Sequence, residues 1–145
     1  MKKFCLAFFS IILCQVVFNQ EYLKDINEIS NHSDNVMKFL AKSELQEAFL
    51  LLKKYWPLPE NEITHLETAT IQQFNLVADR FGSLIGYEFI QELRIKDIMI
   101  RKVYVLKFEK HMLRVYITYY NNQSGWRLNG FVWDDQIDDL FELNK

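Results

Sequence analysis

Three histidines, His32, His65 and His111, are the residues of this 145-residue chain best suited to acid–base or metal chemistry. His32 lies in the polar stretch Ser30-Asn31-His32-Ser33-Asp34-Asn35 and is expected in water. His65 follows Glu62 by three residues, with Glu67 and Asp79 elsewhere on the same segment, but these do not compose His-Glu-x-x-His or another ligand set. His111 stands beside Glu109 and Lys110 in a predicted turn, whereas a general acid or base needs a shielded position. Asp134-Asp135-Gln136-Ile137-Asp138-Asp139 gathers four carboxylates, which suggests calcium. It lacks the alternating ligands, central glycine and distal Glu of an EF-hand loop. A helix start, where Asp caps free N–H groups and complements the helix dipole, accounts for it better. Gly82-Ser83-Leu84-Ile85-Gly86 has neither a Walker lysine nor strand-to-helix order, so it reads as a helix stop and turn. No serine sits in a Gly-x-Ser-x-Gly elbow. The expectation is therefore no catalytic residue, no metal site and no cofactor.

Cys5 and Cys14 both fall within the first twenty residues. There Met1-Lys2-Lys3 precedes a stretch from Phe4 to Phe18 that is almost wholly apolar, followed by Asn19-Gln20. A charged start and an apolar run of this length form the pattern of a secretory signal peptide. The run is short for a membrane span, which needs about 20 residues. Residues 1–20 are thus expected to be an export signal, with a membrane role only if it stays uncleaved. The expected location is exported, periplasmic or secreted. Leu13 stands where a lipobox before Cys14 needs a small residue, so lipidation is not expected. Beyond residue 20 there is no cysteine, hence no disulfide or thiol nucleophile there.

The elements that would position any site follow from periodicity. Residues 21–35 read as a short helical or frayed lead-in ending in a polar break, with Ser33 or Asp34 as a helix cap. Residues 36–145 read as one domain. Val36, Leu40, Leu45, Phe49, Leu52 and Trp56 recur at helical spacing, and Pro57-Leu58-Pro59 ends that helix. A second helix is predicted from Glu60 to Phe81, stopped by Gly82. After Gly86 the period changes to two. Strands are predicted over 87–95, 99–109, 112–120 and 125–133, and the short gaps require an antiparallel meander. Asp134 to Phe141 supplies a last helical turn. The predicted class is α+β, with two N-terminal helices on a curved four-stranded sheet and a short C-terminal helical tail.

Two hairpin registers give the faces. A two-residue turn at Lys110-His111 sets Phe108 opposite Leu113, Leu106 opposite Val115 and Tyr104 opposite Ile117, all toward the helices. A loop at Asn121–Ser124 sets Tyr119 opposite Trp126, Ile117 opposite Leu128 and Leu113 opposite Val132. The other face then carries Val105, Tyr116, Phe131 and Trp133 beside Arg114. This aromatic patch rimmed by arginine is a candidate partner surface. Curvature and the tail could equally cover it. In the first strand Tyr87, Phe89, Gln91, Leu93 and Ile95 share the inner face. Tyr87, Gln91 and Tyr119 are candidates to line a ligand pocket between helices and sheet, Gln91 being a polar interruption of an apolar row.

Three stretches carry a resemblance: Phe81-Gly82 through Gly86-Tyr87-Glu88-Phe89-Ile90; Tyr104 through His111; and Gly125-Trp126-Arg127-Leu128-Asn129-Gly130-Phe131-Val132-Trp133-Asp134-Asp135. In these the chain resembles the cone-shaped nuclear transport factor 2-like superfamily, cystatin-like in outline, and small secreted uncharacterised Bacteroidetes proteins of that type. The resemblance covers roughly residues 36–143. It implies a pocket between helices and sheet, and dimers through the sheet face. The superfamily includes ketosteroid isomerases and dehydratases, whose catalytic motifs find no counterpart in this chain, so fold does not carry function here.

The formal charge of −2 gives no electrostatic case for nucleic acid. The expected function is an exported, non-catalytic module that binds a protein partner or small ligand. The alternative is a lyase, isomerase or small-ligand binder using the inner pocket.

Overall fold

The computed structural model describes residues 21–142. The expected signal segment, residues 1–20, lies outside the described residues. Helices α1 (Ile26–Leu40), α2 (Leu45–Tyr55) and α3 (Glu60–Phe81) precede strands β1 (Leu84–Ile95), β2 (Met99–Phe108), β3 (Met112–Asn121) and β4 (Trp126–Asp134), and a short α4 (Asp139–Glu142) follows. The α+β class and the antiparallel order β1-β2-β3-β4 agree with the sequence reading.

Three helices, not two, precede the sheet. The expected break at Ser30–Asn35 is the middle of α1. The helix starts at Asp25, whose Oδ1 accepts from the Glu28 N–H at 2.9 Å, while Glu28 accepts from the Lys24 N–H at 2.8 Å. Ile29, Val36, Met37 and Leu40 form its buried stripe. Ser33 occupies a core position because its hydroxyl finds partners there, donating to the Ser30 carbonyl at 3.0 Å. The chain breaks later, at Ala41–Glu44, where Ser43 takes a left-handed φ of 61°. That turn divides the single helix expected over 36–56. α3 matches its predicted bounds. Gly82 stops it at φ 86°, where an added Cβ would come within 2.6 Å of a Glu109 carboxylate oxygen.

α1 and α2 cover the inner face of the sheet. Phe49, Leu52, Leu106, Ile117 and Leu128 lie in the resulting core. Full burial of such a side chain contributes about 1.5–3 kcal/mol before entropy is counted. α3 buries only Ile63, Phe74 and Phe81, leaving Leu66 and Leu76 exposed.

The registers differ from expectation, with unequal consequences. β2 and β3 pair Leu106 with Leu113 and Tyr104 with Val115, two positions from the expected register. The two-residue turn lies one position earlier than expected, at Glu109-Lys110, closed by Phe108 N–H donating to the His111 carbonyl at 2.8 Å. A shift of two keeps every side chain on its face. In β3–β4, Tyr119 pairs with Leu128 and Thr118 with Gly130, so Asn129 is extra, and Ile117 then pairs with Phe131. One inserted residue inverts the alternation beyond it. Phe131 and Trp133 therefore turn toward the helices. Their rings meet Phe49 at 5.8 Å and Phe74 at 6.1 Å, respectively. β1 carries two more bulges, at Ile85 and Ile90, and the one at Ile90 sets Gln91 opposite Val103 on the outer face.

Candidate functional site

Ser30, Ser33 and Asp34 lie at i, i+3 and i+4 of α1 and meet the inner face of β1 and β2. With its own proton committed to the Ser30 carbonyl, Ser33 Oγ accepts from the Tyr104 hydroxyl at 2.9 Å. The Tyr87 hydroxyl donates to Asp34 Oδ1 at 2.6 Å, and Lys38 pairs with the other carboxylate oxygen at 2.8 Å. Lys102, buried, donates to Ser30 Oγ at 2.8 Å and pairs with Glu92.

His32, on the adjoining side of α1, reaches both neighbours at once. Its Nε2 lies 3.0 Å from the Leu51 carbonyl, which can only accept. Nε2 therefore carries the proton, and in the neutral ring Nδ1 accepts from the Tyr119 hydroxyl at 2.7 Å. Burial holds the imidazole pKa down, Lys54 adds to this, and the Leu51 bond opposes it. Burial pushes Tyr119 well above its usual value. Tyr87 is pushed up to about 12 by burial and then by Asp34. Asp34 is held low by Lys38 first and Tyr87 second. For Glu92 burial acts upward, but Lys102 and Arg94 outweigh it and the pKa is lowered. At neutral pH this seam is a set of neutral phenols and a neutral imidazole, each bonded to a protein partner.

The pocket candidates thus separate. Tyr119 is fully buried under His32, Tyr87 is half-buried at Asp34, and Gln91 is on the other side of the sheet, its Nε2 buried without a hydrogen-bond partner. The surface candidates separate as well. Val105, Arg114 and Tyr116 remain on the outer face, while Phe131 and Trp133 do not. Val105 is buried. Arg114, 5% exposed, makes a two-pronged bond to Asp134 at 2.9 Å on each arm and a third to Asp139 at 2.7 Å. These bonds raise its pKa further and tie α4 to the sheet. Tyr116 lies between the Arg101 and Arg114 guanidinium groups, at 5.2 and 4.8 Å.

Two concave regions adjoin residues that the sequence singled out, His32 in one and Phe131 and Trp133 in the other. One, of about 280 Å³, opens over His32 between α1 and α2, with Asn31, Asn35, Lys54 and Tyr55 around it. The other is a groove beside β4. A hollow of about 200 Å³ between Trp56, Leu66, Thr70, Phe131 and Val132 meets a second of about 320 Å³ that reaches Leu76, Arg80 and Asp135. The two share Gln73 and Trp133. The sequence pointed to neither as a hollow, because both depend on which members of an apolar pattern stay uncovered. Among the described residues, no group of three His, Cys, Asp or Glu could hold a metal, and no helix is long and apolar enough to cross a membrane. Comparison with family models, curated proteins and solved structures finds no match for this chain.

Proposed function

We propose that this chain is an exported, non-catalytic module that binds a protein partner, built on a cone-like α+β fold of the nuclear transport factor 2-like kind. One observation carries the preference for binding over catalysis. The side chains richest in chemistry, His32, Tyr119, Tyr104, Tyr87 and Lys102, are bonded to one another and to α1 and α2, whereas apolar surface is left open beside β4. A catalytic imidazole needs one nitrogen facing substrate, and both of those on His32 face protein. Support for export is the charged start and apolar run of residues 1–20.

The test is partner capture from the producing cells by the wild type and by two surface variants, Tyr116→Ala and Val132→Lys. A partner held by the wild type and lost from one variant, with thermal unfolding unchanged, supports the reading. A partner retained by both variants, or none held by the wild type, overturns it.

The hollow over His32 favours a second reading, a small polar ligand held by Asn31 and Asn35. Chemical-shift changes confined to those two amides in a ligand screen would select it.

A further inference from the structure

We infer that the free edge of β4 is a strand-addition site, taking an extended segment of a partner that is apolar on alternate residues and basic at its N-terminal end. The inference rests on the binding-module reading above and names its docking mode.

The edge already pairs with added backbone. Leu23 and Trp126 exchange two hydrogen bonds of 2.9 Å, N–H to carbonyl in both directions, as an isolated antiparallel bridge. Next to it the Tyr22 ring lies 4.5 Å from the Arg127 guanidinium, which continues the antiparallel register by one residue. Among the described residues β4 is the last strand of the sheet and has only β3 as a full neighbour. Beyond the bridge, the edge from Leu128 to Trp133 runs for about 20 Å at the strand rise.

The two edges of the sheet differ in their protection. β1 carries Glu88, Glu92 and Arg94 and is interrupted by two bulges, the devices that keep an edge from pairing. β4 has one bulge, at Asn129, but from Gly130 to Trp133 it pairs without interruption and carries no charge and no proline, and Val132 is 53% exposed. On the helix side, the groove past Leu66 and Leu76 lies where alternate side chains of an added strand would point. Leu76 is 70% exposed.

Charge and direction define the occupant further. A strand antiparallel to β4, as Leu23 is, has its N-terminal end at the Asp134 end of β4, beside Asp135. Asp134 is committed to Arg114. Asp135 lines the groove and has no side-chain hydrogen bond or ion pair among the described residues. A lysine, an arginine or a free amino terminus there meets the Asp135 carboxylate; Arg80, which lines the same hollow, lies over the Phe81 ring at 5.1 Å.

The experiment is selection of short random peptides from a display library on the immobilised protein, followed by amide hydrogen exchange with each selected peptide. The expected peptides alternate apolar and polar residues, start with a basic residue and slow exchange at Leu128–Trp133. Val132→Lys should weaken them at least about tenfold, and Asp135→Asn should remove the preference for the basic residue. Because Val132 and Asp135 are at the surface, unchanged thermal unfolding will separate these effects from misfolding. Peptides that protect β1, the outer face at Tyr116 or the hollow over His32 overturn strand addition and leave the binding-module reading standing. Slowed exchange at Leu128–Trp133 without peptide, rising with protein concentration, assigns the edge to a second copy and overturns the partner proposal. No selected peptide at all counts against both readings.

Discussion

The Tyr119 hydroxyl and His32 Nδ1 are 2.7 Å apart across 87 residues of sequence, and this contact joins α1 to the middle of the sheet. The Leu51 carbonyl on the other ring nitrogen fixes the tautomer, so the phenol is the donor. One imidazole thereby connects α1, α2 and β3.

Tyr119→Phe removes that donor and keeps the ring. His32 Nδ1 is left as a buried acceptor without a partner, so unfolding in urea should show a loss of about 1–3 kcal/mol. A variant as stable as the wild type would mean that the contact contributes nothing net.

The depressed pKa of His32 gives a pH dependence with a definite sign. The folded state holds the imidazole neutral more firmly than the unfolded chain, whose pKa is about 6.5. This stability is fully present above about pH 6.5 and declines as pH falls below it toward the folded pKa. Asp34, Glu88 and Glu92 have lowered pKa values, so their contribution is lost only at lower pH, below about 4.5. Thermal midpoints between pH 7 and 5 should therefore fall in the wild type and flatten in His32→Asn. Equal slopes would assign the effect to other groups.

Arg114→Ala strips three charge-assisted bonds from Asp134 and Asp139. The loss should be about 1.5–3 kcal/mol, with faster proteolysis within residues 135–142. Arg114→Lys should recover only part of it, since an ammonium lacks the two-pronged fork. Full recovery with Lys would show that charge alone holds α4.

Gly125 has φ 144°, and an added Cβ would lie 2.8 Å from Tyr22 Cβ and 3.3 Å from the Leu23 carbonyl. Gly125→Ala should therefore displace the Leu23 bridge from Trp126 and speed exchange of both amides, while β2 and β3 amides stay protected. Unchanged exchange at Leu23 would show that the segment accommodates the methyl.

Export would leave a mature N-terminus near Glu21, which intact mass measurement of the protein recovered outside the cytoplasm would show. A chain that retains Met1 and stays with the cytosolic fraction would reject the signal reading.

Periodicity alone identified the α+β class, the bounds of α3 at Pro59 and Gly82, and the four antiparallel strands, because these follow from local backbone rules. The inner faces of β2 and β3 were legible too, since a register error of two residues preserves side-chain direction. What the sequence could not determine were the single-residue insertions. Asn129 and Ile90 look like any other strand residues, yet each inverts the alternation beyond it. That moved Phe131 and Trp133 into the helix-facing side and Gln91 out of it. The polar run in α1 failed as a break signal for a related reason. Ser33 and His32 are polar in isolation, but Ser30, Tyr104, Leu51 and Tyr119 satisfy them once the helix docks. Whether a polar group can be buried depends on partners far away in sequence. Only the tertiary structure could supply them, and the same long-range packing leaves β4 with one full partner strand among the described residues.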